Sequence, residues 1–87
     1  MSKKQNMPLV SIIIPVYNGE KYVSSAVDSA LNQSYSNIEI IIINDGSTDN
    51  TMSVLDNYKS NKKITIYNKS NGGVSTALNY GIKHANG

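Results

Sequence analysis

The 87-residue chain is long enough for one domain with a modest core. Its hydrophobic content of 39% and charged content of 16% are those of an ordinary globular protein and exclude a disordered one. Its eight lysines outnumber its six acidic residues, which gives a net charge of +2. Because these lysines are scattered and form no basic stripe, no nucleic-acid partner is expected.

The absence of cysteine excludes a disulfide framework and a thiolate metal site, and it fits a reducing cytoplasm. No apolar stretch approaches the roughly 20 residues of a membrane span, and no signal-peptide layout opens the sequence. We therefore expect a cytoplasmic protein, with no membrane association encoded in this segment. If the protein acts at the inner face of the membrane, other residues take it there.

Short apolar runs alternate with longer amphipathic ones, which is typical of βα units around a parallel sheet. Residues 1–7 predict a disordered tail, and the ordered part is expected to begin near Pro8. Residues 9–14 predict a strand buried on both faces, which Pro15 ends because proline cannot donate to a ladder. Residues 20–32 predict a helix with one apolar stripe.

The second unit contains the most apolar run of the chain, residues 38–43, which predicts the central strand. A helix is predicted over residues 48–59, with Ser47 or Thr48 as its N-cap. Residues 64–67 alternate between apolar and polar, which indicates a shorter strand near an edge of the sheet.

The last unit predicts a loop over residues 68–73 and a helix that begins at Val74. Gly81 lies within that helix, where glycine costs about 1 kcal/mol relative to alanine, so we expect it to permit close packing against the sheet. Right-handed crossovers give the strand order 3-2-1. The first strand is too apolar for an open edge, so further strands are expected beside it.

Two strands of this predicted sheet end in polar corners, at residues 17–20 and 44–49. The carboxyl ends of parallel strands meet at one edge of the sheet, where nucleotides bind to α/β proteins. Asp45 could accept a hydrogen bond from a base or a sugar, but a tight turn with a helix cap explains it equally well. Tyr17 could stack on a base or cover the core, and Asn18 is expected to cap the helix that follows.

Other candidate positions give weaker signals of chemistry. Gly72 and Gly73 open a helix and could let backbone N–H groups approach an anion. His84, the single histidine, has no nucleophile or second histidine at a useful spacing. Asp45 and Asp49 are separated by a turn and do not form a recognisable metal site. The sequence therefore assigns neither a catalytic residue nor a metal ligand in this segment.

Two stretches of the chain carry a family resemblance, and they read PLVSIIIPVYNGEKYVSSAVDSALNQSYSNIEIIIINDGSTDNT and NGGVSTALNYGIKHANG. Together they closely resemble the start of family 2 glycosyltransferases, which have the GT-A fold. The resemblance implies an α/β, Rossmann-like, three-layer nucleotide-binding half with helices on both faces of a parallel sheet. It also implies that residues 8–87 are the N-terminal part of the catalytic domain, truncated before its metal-binding strand.

The activity that the resemblance implies is the transfer of one sugar from a nucleotide-diphosphate sugar to an acceptor hydroxyl, with inversion. It implies a UDP-type donor, a glycan or other hydroxyl acceptor, and a role in bacterial polysaccharide biosynthesis. In such enzymes Pro15 and Tyr17 would lie against the base, and Asp45 would hydrogen-bond to the base or the ribose. The loop over residues 71–75 would border the same pocket, which makes Gly73 and Ser75 further candidates.

The chain departs from the family pattern at two positions and lacks two motifs. Asn44 stands where the family often has an acid, and Leu78 stands where an arginine that could contact the diphosphate is frequent. The Asp-x-Asp motif and the general base are expected beyond Gly87. A divalent cation, Mg²⁺ or Mn²⁺, is therefore implied for the full-length enzyme, and these 87 residues alone are expected to be inactive.

Two other functions stay open on the residues alone. A βαβ unit with an acid after its second strand is also the pattern of an NAD-type dinucleotide-binding domain, although residues 15–19 supply only one glycine. A non-catalytic remnant or assembly module is the second alternative. Tighter binding of NAD than of UDP would favour the first, and a downstream strand ending in Asp-x-Asp would favour an enzyme.

Overall fold

The computed structural model describes residues 8–87, so the tail predicted over residues 1–7 lies outside the described residues. Strands and helices alternate along the chain, as the sequence predicts. In order they are β1 (Val10–Val16), α1 (Val23–Asn32), β2 (Ile38–Asp45), α2 (Thr51–Leu55) with a 3-10 turn (Asp56–Tyr58), β3 (Ile64–Lys69) and α3 (Val74–His84).

The strands form one parallel sheet with β2 in the centre, in the order β1-β2-β3. This is the predicted order 3-2-1 read from the other side. The central position suits β2 because its side chains need burial on both faces, and Ile40, Ile42 and Ile43 are fully buried. The register places Val16 beside Asn44 and Asp45 beside Lys69, so the carboxyl ends of the strands share one edge.

Helices cover both faces of the sheet, which confirms the predicted three-layer α/β class. Val23 and Val27 of α1 and Leu55 of α2 belong to the core on one face, which includes Ile40 and Ile42. On the other face, Ala77 of α3 packs in a smaller cluster with the buried side chains of Ile41 and Ile43.

Gly81 lets α3 approach β1 closely, as the sequence predicts. A Cβ atom added at Gly81 would lie 2.5 Å from Cγ2 of Ile13, which is too close for two carbon atoms. Glycine is therefore needed here for the packing of the helix on the sheet, despite its low helix propensity.

The first unit differs from its predicted boundaries at two points. Pro15 does not end β1, which continues to Val16. The N–H of Val10 donates to the backbone oxygen of Asn37, the residue just before β2. Because successive backbone N–H groups point to opposite sides of a strand, the nitrogen of Pro15 faces the open side of β1, where no donor is needed. Helix α1 begins at Val23 rather than at residue 20, because a turn comes first, in which Gly19 O accepts the N–H groups of Tyr22 and Val23.

The second helix is shorter than the predicted 48–59, and the caps predicted at Ser47 and Thr48 are wrong. Helix α2 begins at Thr51, whose N–H donates to Asp49 Oδ1 at 3.0 Å. Ser47 instead accepts the N–H of Asn18 at 2.9 Å. The preceding residues therefore connect two loops rather than open a helix.

Strand β3 is longer than predicted and includes Lys69, which the sequence places in a loop. Pairing with β2 continues to Asp45, and this extra length sets Lys69 beside the aspartate.

Glu39 of β2 links the residues after α3 to Ser11 of β1. Its carboxylate accepts the hydroxyl of Ser11 and, at 2.6 Å, the N–H of Asn86. The N–H of Gly87 donates to Ser11 Oγ at 2.9 Å. These donors, Ser11 first, hold the pKa of Glu39 below its ordinary value of 4.5. The residues after α3 therefore lie beside β1, the strand for which the sequence predicts a further neighbour.

Candidate functional site

A cavity of about 320 Å³ opens at the carboxyl end of the sheet. Its volume falls at the lower end of the range for small-molecule sites, roughly 300 to 1,000 Å³. Tyr17 directly follows β1 and Asp45 is the last residue of β2, and both line the cavity, as the sequence predicts for the two polar corners. The residues that line it are Pro15, Val16, Tyr17, Tyr22, Asp45, Asn71, Gly73, Val74 and Ala77.

Of the five residues that the sequence nominates, Pro15, Tyr17, Asp45 and Gly73 line this cavity together. Ser75 is exposed in the first turn of α3 and is not among the lining residues, so its role stays a prediction.

Sequence reasoning missed Tyr22 as a lining residue of the cavity. Tyr22 fits the apolar stripe of a helix, which predicts burial, yet 51% of its surface is exposed. It precedes α1 and points away from the core. Asn71 belongs to the loop that the family resemblance places at the pocket, and it lines the cavity. Its Nδ2 donates to the backbone oxygen of Asp45 at 3.0 Å, which brings the loop before α3 onto the end of β2.

The turn after β2 is organised by Asn44 and Gly46 rather than by the side chain of Asp45. Asn44 Oδ1 accepts the N–H of Ser47 at 3.3 Å. Gly46 has a φ of +71°, and a Cβ there would lie 2.6 Å from the backbone nitrogen of Asn71. The side chain of Asp45 therefore neither stabilises the turn nor caps α2, contrary to that alternative.

The carboxylate of Asp45 is held by three donors from the next strand and the loop after it. Oδ1 accepts Lys69 Nζ at 2.7 Å and the N–H of Gly72 at 3.0 Å, and Oδ2 accepts the N–H of Gly73 at 2.9 Å. Asp45 is only 3% exposed, and the Lys69 hydrogen bond, followed by the two backbone donors, outweighs burial and lowers its pKa. The group is therefore an anion at neutral pH.

Asp45 keeps some capacity to bind a ligand. A carboxylate has about four lone-pair positions, and the three donors occupy both positions on Oδ1 and one on Oδ2. One acceptor position on Oδ2 remains. Because Asp45 is also a lining residue, this position can serve a single donor of a ligand in the cavity.

Two tyrosine rings line the cavity beside its aliphatic side chains. Tyr17 is 49% exposed and Tyr22 is 51% exposed, so neither side chain is buried in the core. Exposed aromatic rings at a cavity are suited to stacking on a flat ligand, because each ring offers a free π face. The cavity therefore combines two exposed aromatic rings with one buried carboxylate.

Residues 8–87 contain no group of three or more His, Cys, Asp or Glu side chains close enough to hold a metal ion. Within the same residues, no helix has the length and apolar character needed to cross a membrane.

Known proteins resemble this chain in both sequence and structure. An uncharacterised glycosyltransferase of Rickettsia typhi is 57% identical over 86 residues, which are 97% of this chain and 26% of that protein. The crystal structure of S. aureus TarS 1-349 in complex with UDP-GlcNAc has a TM-score of 0.81 and 29% identity, over 93% of this chain and 24% of that one. The mannosyltransferase PcManGT from Pyrobaculum calidifontis, in complex with GDP-Man and Mn²⁺, has a TM-score of 0.79 and 26% identity, over 87% and 24%.

The chain therefore spans about a quarter of the length of these proteins. The family model described as Glycosyl transferase family 2 matches residues 11–87, which is nearly the whole chain. The sheet order, the helices on both faces and the cavity at the carboxyl ends of the strands agree with this match. The chain belongs to glycosyl transferase family 2 and forms the N-terminal portion of a GT-A fold.

Proposed function

We propose that the full-length protein carrying this chain is an inverting glycosyltransferase, and that residues 8–87 supply the part that binds the nucleotide of a nucleotide-diphosphate sugar. One observation carries the proposal. Pro15, Tyr17, Asp45 and Gly73 come from three separate parts of the sequence and converge on one cavity. Family membership supports the same reading and favours it over the NAD-type alternative.

In this proposal Tyr17 stacks on the base, with Pro15 beside it, and Asp45 accepts one hydrogen bond from the base or the ribose. Tyr22 forms a further part of the wall, and its exposed ring is a second surface on which the base stacks. Gly73 borders the nucleotide, and its N–H is already used to hold Asp45. Binding and orienting the donor are the steps that these residues perform, and the acid–base chemistry of transfer belongs to residues beyond Gly87.

The single free position on Asp45 favours UDP over GDP as the nucleotide. Uracil presents one N–H donor between two carbonyl groups, whereas guanine presents an N–H and an amino group side by side. A carboxylate with two free oxygens could accept both guanine donors, but Asp45 Oδ1 is occupied by Lys69 and Gly72. Guanine would therefore leave one donor unpaired in a partly buried site, which costs affinity.

A divalent cation is part of the proposal for the full-length enzyme, since such an ion would offset the charge of the leaving diphosphate. The related mannosyltransferase PcManGT forms a complex with Mn²⁺ as well as with its nucleotide sugar. Residues 8–87 offer no cluster of ligands for such an ion, so we assign none of them to the metal. A glycan or other hydroxyl acceptor, and action in the cytoplasm at the inner face of the membrane, complete the proposal.

Isothermal titration calorimetry on the full-length protein tests this function with UDP, GDP and NAD as ligands. We expect UDP to bind most tightly, and Asp45→Asn to weaken UDP binding about 10-fold or more, as for a lost hydrogen bond to a charged acceptor. Asp56→Asn is the matched control, because Asp56 pairs with Lys59 on the exposed surface. Tighter binding of NAD than of UDP, or equal UDP affinity in the wild type and Asp45→Asn, would contradict the proposal.

A further inference from the structure

Lys69 is a lysine whose ammonium group is largely enclosed, with 17% of its side chain exposed. Its Nζ lies 2.7 Å from Asp45 Oδ1, 2.6 Å from the backbone oxygen of Ser70 and 3.4 Å from Thr76 Oγ1. An ammonium group has three N–H bonds, so all three of its donors have partners. These partners belong to the end of β2, the loop after β3 and the first turn of α3.

The same contacts show what Lys69 does not do. It is not among the residues that line the cavity, and it has no donor left for the phosphate groups of a nucleotide. A lysine that binds phosphate works as an accessible point charge, and this one is neither accessible nor free. Any effect of Lys69 on a ligand must therefore pass through Asp45 or through the loop.

The loop lies directly on this lysine. A Cβ added at Gly72 would be 3.0 Å from Lys69 Nζ and 2.7 Å from Thr76 Oγ1, so the backbone there has no room to spare. Thr76 Oγ1 also donates to the backbone oxygen of Gly73 at 2.8 Å. Lys69, Thr76 and Asp45 thus hold both glycines, and each of the two glycine N–H groups donates to Asp45.

We propose that Lys69 is a positioning residue for nucleotide binding: it fixes the Asp45 carboxylate and the glycine loop in the one arrangement that leaves Oδ2 available to the ligand. The proposal rests on the proposed role of Asp45 as a nucleotide acceptor. Without the ammonium group, a carboxylate that is 3% exposed would lose its only ionic partner among the described residues. The carboxylate would then turn toward other donors or bind a proton, and the hydrogen bonds that hold the glycine loop to the end of β2 would be lost.

A set of variants of the full-length protein tests this, with UDP affinity measured by calorimetry. Lys69→Met removes the ammonium group and keeps an unbranched side chain as far as Cε, and we expect it to weaken UDP binding about 10-fold or more. In an Asp45→Asn background the same change is expected to have little further effect, because both changes act on one contact. Lys59→Met is the control, since Lys59 forms an exposed ion pair with Asp56. Circular dichroism confirms folding, and Lys69→Gln replaces Lys69→Met under the same criteria if the latter does not fold.

Restoring the ammonium group separates positioning from a general loss of structure. The 87 residues contain no cysteine, so a Lys69→Cys variant can be alkylated at this position with 2-bromoethylamine, which returns a lysine-like side chain. We expect the treated variant to regain most of the UDP affinity and the untreated one to stay weak, with treated wild type as the reference. Unchanged affinity in Lys69→Met, or an equal loss in the Asp45→Asn background, would overturn the proposal.

Amide hydrogen exchange at Gly72 and Gly73 distinguishes failure of this inference from failure of the proposed function. Lys69→Met is expected to speed exchange of both amides, whether or not UDP is the ligand. If the wild-type protein does not bind UDP, the proposed function is wrong, and slow exchange that persists in Lys69→Met shows that the positioning role is wrong as well. Faster exchange in that case supports the positioning of the loop by itself.

Discussion

Asn18 Oδ1 accepts the backbone N–H of Thr48 at 2.7 Å, and this contact joins the loop after β1 to the loop after β2. The same oxygen is 3.3 Å from the N–H of Asp49. Asn18 has a φ of +51°, a conformation that asparagine adopts more readily than most residues with a side chain. The sequence predicts that Asn18 caps α1, whereas in the structure its side chain binds the loop that precedes α2.

Replacing Asn18 separates its two contributions. Asn18→Gly keeps the positive φ and removes the acceptor, so we expect a loss of about 0.5–1.5 kcal/mol in the free energy of unfolding. Asn18→Ala also removes the acceptor but, unlike Asn18→Gly, keeps a Cβ at positive φ without the polar group that helps asparagine adopt it, so it is expected to cost roughly 1 kcal/mol more than Asn18→Gly. Chemical denaturation measures both, with Asn57→Ala on the exposed 3-10 turn as control. An Ala variant at least as stable as the Gly variant would show that the left-handed conformation of Asn18 is not required.

The sequence predicts the sheet and its order because the relevant signals are local and strong. Continuous β-branched runs mark buried parallel strands, and right-handed crossovers leave few arrangements of them. It also predicts that Tyr17 and Asp45 lie at one edge of the sheet, since a switch from apolar to polar residues marks the end of each strand. These inferences need only the period of each segment and the direction of each strand.

The partners of Asp45 could not be predicted, because they depend on side chains that are far apart in the sequence. Lys69 lies 24 positions from Asp45, and Gly73 lies 28 positions away. Placing them beside Asp45 requires the length of β3, which the alternation of polar and apolar residues underestimates by two positions. Tyr22 was missed for a related reason: periodicity gives the face of a helix, but not the residue at which the helix begins.

The close approach of Gly81 to Ile13 predicts that Gly81→Ala destabilises the protein, although alanine has the higher helix propensity. Gly81→Ala gains about 1 kcal/mol of propensity in an open helix. At this position the new methyl group meets Ile13 Cγ2, and overpacking costs about 1–3 kcal/mol. We expect a net loss of unfolding free energy in chemical denaturation, while Asn79→Ala, at an exposed position of α3, loses nothing.

A double mutant identifies the cause of the loss at Gly81. Ile13→Ala removes the atom that the new methyl group would meet, so Gly81→Ala is expected to cost less in that background than in the wild type. An equal cost in both backgrounds would place the strain elsewhere in the helix.

The exposed rings of Tyr17 and Tyr22 predict a loss of nucleotide affinity when the rings are removed. Tyr17→Leu and Tyr22→Leu keep an apolar side chain without a π face, and each is expected to weaken UDP binding by about 1–3 kcal/mol. Tyr17→Phe and Tyr22→Phe are the matched controls, because they keep the ring and lose only the hydroxyl. Calorimetry on the full-length protein compares the pairs. If a Leu variant binds UDP as tightly as its Phe counterpart, that ring does not stack on the base.

The hydrogen bonds to Asp45 predict how its contribution to stability depends on pH. Lys69 first, then the N–H groups of Gly72 and Gly73, hold the folded-state pKa of Asp45 below the ordinary value of 3.8. A group with a lowered folded-state pKa stabilises the fold above its unfolded-state pKa, and that contribution is lost as pH falls through the lowered value. We therefore expect the stabilisation from Asp45 to be constant near neutral pH and to decline below about pH 4.

Thermal unfolding of wild type and Asp45→Asn between about pH 7 and pH 2.5 measures this dependence. The wild type is expected to be more stable at neutral pH, and the difference between the two melting temperatures should shrink as the carboxylate is protonated. Asp56→Asn, which alters an exposed ion pair, is expected to change the melting temperature little, since such pairs contribute little. A difference between wild type and Asp45→Asn that grows as pH falls would mean that the folded state raises the pKa of Asp45, and the three donors would not then be its dominant partners.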